Sequence, residues 1–153
     1  VRELRPGVIR DILARVVTES EQMTRKGLTE AALVLEREAK QNVLKGGTHK
    51  HGTKTPATPG SFPALISGTL RRSITHSPVR PVAFGWETRV GPAGGIYPPY
   101  GKNRTQSAQY GRYLETGLRN GATYPWLMPA FRAVVPQMIG INAKFLRGPW
   151  PHI

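Results

Sequence analysis

Three observations predict an α+β fold. A helical apolar repeat runs over residues 8–44, a strictly alternating stretch covers Val82–Val90, and a second helical repeat follows Pro129. The expected architecture is a long N-terminal helix packed on a small antiparallel β-sheet, with a short middle helix and a C-terminal helix. A chain of 153 residues suits one domain with a modest core.

In the first helix, Ile9, Leu13, Val16, Met23, Ala31, Leu35, Ala39 and Val43 fall close to a 3.6-residue spacing. Pro6 precedes it, where a missing N–H is harmless, and Gly46-Gly47 supplies the stop. Such a helix is about 55 Å long if straight. Gly27 and the polar Glu19–Lys26 run predict a kink or a break into two helices. Val17, Val34 and Leu44 widen the apolar face, which suits burial within the chain or packing between subunits.

Residues 45–60 have no periodicity, much Gly, Thr and Pro, and no acids, and are expected to be a long mobile loop. Lys45, Lys50 and Lys54 on it are candidate contacts for phosphate or an acidic neighbour. His49 and His51 lack the nearby Cys or carboxylate that a metal site needs. Phe62, Leu65 and Ile66 are expected to anchor the far end of the loop.

The sequence is organised around Gly68-Thr69-Leu70-Arg71-Arg72-Ser73-Ile74. Gly68 permits a left-handed turn, Thr69 starts a short helix, and Leu70 and Ile74 share an apolar side with the arginines pointing away. Residues 73–77 read as extended, and Pro78-Val79-Arg80-Pro81 as a break. In 82–90 one face holds Val82, Phe84, Trp86, Thr88 and Val90, with Trp86 expected to pack on the first helix. Residues 91–106 read as a loop in which Tyr97 and Tyr100, among the cations Lys102 and Arg104, have the chemistry to stack on bases. Gly91-Pro92-Ala93-Gly94-Gly95 has no Gly-Lys-Ser/Thr ending and is not a phosphate loop. A short helix is predicted over 107–116, capped by Ser107 and ended by Gly117, and the last helix over 129–147, with a kink at Pro136.

Charge divides the chain. Residues 1–44 carry 8 Lys/Arg and 7 Asp/Glu, while residues 45–153 carry 14 Lys/Arg and only Glu87 and Glu115. A field of one sign over most of a domain calls for an anionic partner: nucleic acid, an acidic protein face or an anionic membrane. No apolar run reaches the roughly 20 residues of a membrane span, and Val1–Gly7 lacks an apolar signal core, so an intracellular or virion protein with no membrane partner is expected. No Cys is present, which removes disulfides and thiolate chemistry. The late carboxylates stand alone, and Ser73 and His76 have no orienting acid in the sequence. The expectation is therefore a non-enzyme without cofactor or metal.

Four short boxes in order resemble the tail-completion (neck) proteins of long-tailed double-stranded DNA bacteriophages, the group that includes the minor-tail-Z type. They are Ala39-Lys40 at the helix end; Gly68, Leu70, Ser73 and Ile74; Tyr110, Tyr113, Glu115 and Gly117; and Pro125, Trp126, Leu127, Pro129 and Ala130. The similarity covers roughly residues 28–135. It departs at Glu115-Thr116-Gly117-Leu118, where the family often has Glu-aromatic-Gly-Thr, and in the longer loops at 45–60 and 91–106. The resemblance implies a subunit of a homo-oligomeric ring, of six or twelve copies, at the virion's head–tail junction. That ring, assembled in the host cytoplasm, joins the portal-side connector to a tail terminator or tail tube around the DNA channel. Arg71, Arg72, Tyr110, Tyr113, Glu115 and Trp126 are the candidate subunit contacts, with Glu115 expected to pair with an arginine of its own chain or a neighbour. Lys45, Lys50, Lys54, Lys102 and Arg104 are the candidate contacts with DNA or acidic protein. The alternative is a free basic nucleic-acid-binding protein, though no familiar motif of that class is present.

Overall fold

A computed structural model describes residues 6–53, 57–99 and 105–147. In chain order its elements are α1 (Pro6–Lys45), α2 (Thr69–Ser73), β1 (Ile74–His76), β2 (Arg80–Val82), β3 (Gly85–Glu87), β4 (Val90–Pro92), α3 (Ser107–Thr116) and α4 (Leu127–Leu146). The expected α+β class and order of helices are present.

The main contact is α4 lying antiparallel against the C-terminal half of α1. Asn42 of α1 donates from Nδ2 to the Trp126 carbonyl at 3.0 Å at one end. At the other end, Gly27 sits against Asn142 and Phe145. Small residues let the two backbones approach, since Ala31, Ala32, Ala39 and Ala130 are all buried. The core continues through Leu35, Val43, Leu70, Ile74, Leu114 and Val134 around Trp126.

The break expected at Gly27 is absent, for α1 is one helix of 40 residues. Glycine is needed there for space. A Cβ at Gly27 would stand 2.7 Å from Asn142 Oδ1. Pro136 likewise lies inside α4 without ending it.

The alternating stretch is not one strand. Residue pairs Ile74↔Pro92, Thr75↔Gly91 and His76↔Val90 join β1 to β4, and Arg80↔Glu87, Pro81↔Trp86 and Val82↔Gly85 join β2 to β3. These are two segments of a single antiparallel ribbon. Three residues, Ser77–Val79, oppose two, Thr88 and Arg89, so a bulge shifts the register by one. Pro78, which has no N–H to give, occupies the bulge, and Ser77 carries the bonding there through its N–H to the Arg89 carbonyl at 2.8 Å. The ribbon turns at Ala83-Phe84, with Gly85 at φ 139°, a backbone angle side-chain-bearing residues rarely adopt. The turn reverses the alternation, so Val82 and Trp86 lie on opposite faces instead of sharing one. Trp86 does face α1, where the Arg25 guanidinium lies 5.3 Å from its ring centre.

The loop after α1 is also more ordered than expected over its described residues. His49 N–H and Leu65 N–H bond to the carbonyls of Leu65 and Gly47 at 3.0 and 2.8 Å, making a parallel bridge between Thr48 and Leu65. Gly60 N–H reaches the Thr123 carbonyl at 2.8 Å. Backbone groups near a core must find partners, and here distant loops supply them to each other.

Glu36 ties α1 to the ribbon. Its carboxylate bonds to His76 Nδ1 at 2.7 Å and Lys40 Nζ at 2.5 Å. Partial burial alone would raise its pKa. The hydrogen bonds and charges of His76 and Lys40 outweigh that and hold it below the ordinary carboxylate range. A carboxyl depressed on folding stabilises the protein above its unfolded pKa, and that contribution is lost as pH falls through the folded value. The wild-type chain should therefore lose urea stability below pH 4.5 more steeply than Glu36→Gln, with the two curves parallel near neutrality. Gly27→Leu should cost about 1–3 kcal/mol by overpacking the α1–α4 crossing, read from the urea midpoint.

Candidate subunit interface

The residues of the last two sequence boxes meet at the joint between α3 and α4. An α-helix starts with backbone N–H groups that have no partner inside the helix. At the start of α4 these belong to Leu127 and Met128, with that of Trp126 just before, while Pro129 has none. Glu115, near the end of α3, accepts all three: Trp126 N–H at 2.8 Å and Leu127 N–H at 3.3 Å on Oε2, and Met128 N–H at 2.7 Å on Oε1. A carboxylate is well suited to this place because the helix dipole is positive there.

Trp126 locks the same joint from inside. It is 1% exposed, and its indole N–H donates to the Gly111 carbonyl at 3.1 Å. Gly111 allows the approach, because a Cβ there would stand 2.9 Å from Pro92, 3.0 Å from Leu70 and 3.2 Å from the indole. The Gly68 box enters at this point. Gly68 takes φ 70°, α2 follows, and Leu70 and Ile74 are buried as expected.

The expected subunit contacts therefore divide. Trp126 is corrected to a core residue, since its ring is enclosed by its own chain. Within the chain the expected Glu115–arginine pair is absent among the described residues, and both carboxylate oxygens receive backbone N–H groups instead. Tyr110 and Tyr113 are 39% and 47% exposed on the outer side of α3. Burial raises the Tyr110 hydroxyl pKa, helped by Tyr124 nearby. Arg72 is exposed, with a long 3.4 Å contact to the Ser67 carbonyl. Arg71 is half-buried, and its Nε has no hydrogen-bond partner among the described residues.

Two cavities flank Tyr110. One, of about 270 Å³, lies over Val43, Leu65 and Leu70 and includes His51 and Pro98. The other, about 620 Å³, is bordered by Tyr113, Gly117 and Arg119. Of the cations expected to meet DNA or acidic protein, Lys50 is exposed on the loop. Lys45 is engaged locally, by Glu38 at 3.1 Å, Asn42 Oδ1 at 2.7 Å and the Phe62 ring at 5.3 Å. Lys54, Lys102 and Arg104, together with Tyr100, lie outside the described residues. Ser73 and His76 make no dyad, because the Ser73 hydroxyl is buried and donates to the Leu70 carbonyl at 2.7 Å.

The least expected residue is Phe84, fully exposed at the ribbon tip. Around it the ribbon is polar, with Glu87 paired to Arg80 at 2.7 Å and Arg89 at 3.2 Å. The hydrogen bond from Arg80 is the main cause of the lowered Glu87 pKa. Among the described residues no group of three His, Asp or Glu side chains is placed to hold a metal ion, and no helix is long and apolar enough to cross a membrane. No family model matches the chain, and no curated protein or solved structure matches it significantly.

Glu115→Ala should destabilise the fold by about 2 kcal/mol, since it strips the cap from α4. Glu115→Gln should cost less because it keeps one acceptor oxygen, and urea unfolding separates the two. Phe84→Ser should change stability by less than about 0.5 kcal/mol, because the ring touches no core.

Proposed function

We propose that this chain is a structural subunit of a ring in the neck of a long-tailed double-stranded DNA bacteriophage, between the portal-side connector and the tail tube or its terminator. The observation that carries the reading is the convergence of the resembling boxes. Leu70 of the second box, Gly111 within the third and Trp126 of the fourth meet at one point, and Glu115 binds the third to the fourth. Boxes that jointly build one scaffold support a shared fold better than boxes scattered over a surface. Glu36, Ser73, His76, Glu87 and Glu115 are each engaged within the chain, which suits a part that works by surface fit. In a ring each copy presents two different faces to its neighbours, and closure depends on the rotation between them. The surplus cations after residue 45 then face DNA in the channel, without sequence preference, or the acidic face of an adjoining ring.

Free nucleic-acid binding is the second reading, favoured by the same charge distribution. The two separate on two measurements. A density map of the intact particle's neck should accommodate this fold as a closed ring of six or twelve copies. Titration of the isolated chain with duplex DNA should give weak binding that vanishes between about 50 and 200 mM salt. Tight duplex binding by a monomer that is missing from the particle would decide for the second reading.

A further inference from the structure

The smaller of the two cavities that flank Tyr110 holds about 270 Å³. That is ample for a ring-sized organic molecule, since benzene fills an apolar cavity of about 150 Å³. Val43, Leu65 and Leu70 line it with hydrocarbon, the first and last of them 1% and 8% exposed. Water over such a surface finds no hydrogen-bond partner there, so an apolar body that displaces it gains free energy.

Three hydroxyls line the same space, those of Ser67, Thr69 and Ser107. Thr69 and Ser107 are 4% and 3% exposed. Ser67 Oγ accepts the Thr69 N–H at 3.2 Å and lies 2.8 Å from Thr69 Oγ1. Whichever of the two hydroxyls donates, the pair spends one proton on itself and keeps one to give. Ser107 is held through its backbone N–H, to the Ile96 carbonyl at 2.8 Å, and its hydroxyl bonds to no described residue. Hydroxyl protons on nearly buried residues are costly to leave without an acceptor. The cavity is where an acceptor can reach them.

The lining is also uncharged. It contains no Lys, Arg, Asp or Glu, although the chain carries a net charge of +13. Tyr110 is kept protonated, because burial raises its pKa, and His51 is already engaged. An anion entering here would give up its hydration and meet no fixed cation in return.

We propose that this cavity binds a small neutral carbonyl compound. Its ring or branched body lies against Val43, Leu65 and Leu70, and its oxygen accepts from the Ser67–Thr69 pair. A carbonyl oxygen has two lone pairs and no proton of its own, which suits a lining that has donors to spare. The site is independent of the ring reading and stands or falls without it.

The test uses three probes of similar shape: acetophenone, α-methylstyrene, which carries CH2 in place of the oxygen, and benzoate, which carries a charge. Titration of the isotope-labelled intact chain with acetophenone should shift the amide signals of Leu65, Thr69 and Ser107, with a dissociation constant of about 1 mM or tighter for so small a molecule. Benzoate should bind more weakly. Ala64→Trp, at a half-buried lining position, should fill the cavity and abolish the shifts. Ser67→Ala with Thr69→Val removes the hydroxyl pair and keeps the hydrocarbon. It should lower the affinity for acetophenone relative to that for α-methylstyrene by about fivefold, with helix content unchanged by circular dichroism. No shift at those amides at roughly tenfold above that concentration would overturn the proposal. Equal shifts in Ala64→Trp would overturn it by placing the ligand elsewhere. An unchanged ratio in the double variant would overturn the carbonyl assignment and leave a plain hydrocarbon pocket. Tighter binding of benzoate than of acetophenone would overturn it in favour of attraction by net charge.

Discussion

The fold depends on a single carboxylate at the head of α4. Glu115 takes three backbone N–H groups that would otherwise face the core edge unpaired, and Pro129 removes the need for a fourth. Unpaired backbone donors in such a place are costly, so α4 begins where Glu115 lets it begin. That start sets which side of α4 meets α1. It also fixes Trp126, whose backbone N–H goes to Glu115, whose indole goes to Gly111 and whose carbonyl goes to Asn42. One residue therefore links three helices, and the α2 turn is held because Leu70 packs on Gly111.

Much of this was legible in the sequence where a pattern is local. α3 spans the predicted residues and ends at Gly117, though Gln106 rather than Ser107 holds the cap position and no side chain caps it, and Leu70 and Ile74 are buried as their spacing requires. The misreadings share a cause, which is pairing between distant residues. Alternation over 82–90 looks the same whether the chain runs straight or turns back after two residues. Only the partner register shows that Pro81 lies opposite Trp86. Gly27 reads as a weak point in a helix until Asn142 is beside it. Glu115 reads as a charge seeking an arginine, because nothing in its own neighbourhood announces that a helix will start twelve residues later. Trp126 was assigned to a subunit contact on a resemblance, and the packing of Gly111, which leaves room for the indole, has no signature in a linear string. Asn42 was missed altogether, as a polar residue on a helix is ordinarily read as solvated.

Acids and cations are unevenly distributed in the folded chain as well as in the sequence. The ribbon and the helix ends neutralise their own carboxylates locally, which leaves α3, α4 and the described loops with unmatched arginines and lysines. The unmatched carboxylates lie on α1, beside its own unpaired Arg10, Arg15 and Lys26. A net charge of +13 makes copies of the chain repel one another at low salt.

The unbroken course of α1 has a mechanical result. Because one helix runs through all 40 residues, the portion before Gly27 acts as a lever anchored in the α1–α4 crossing. A tilt of a few degrees at that fulcrum swings the far tip by more than an ångström, so a pull applied at the tip is delivered to the interior as torque rather than absorbed along the way.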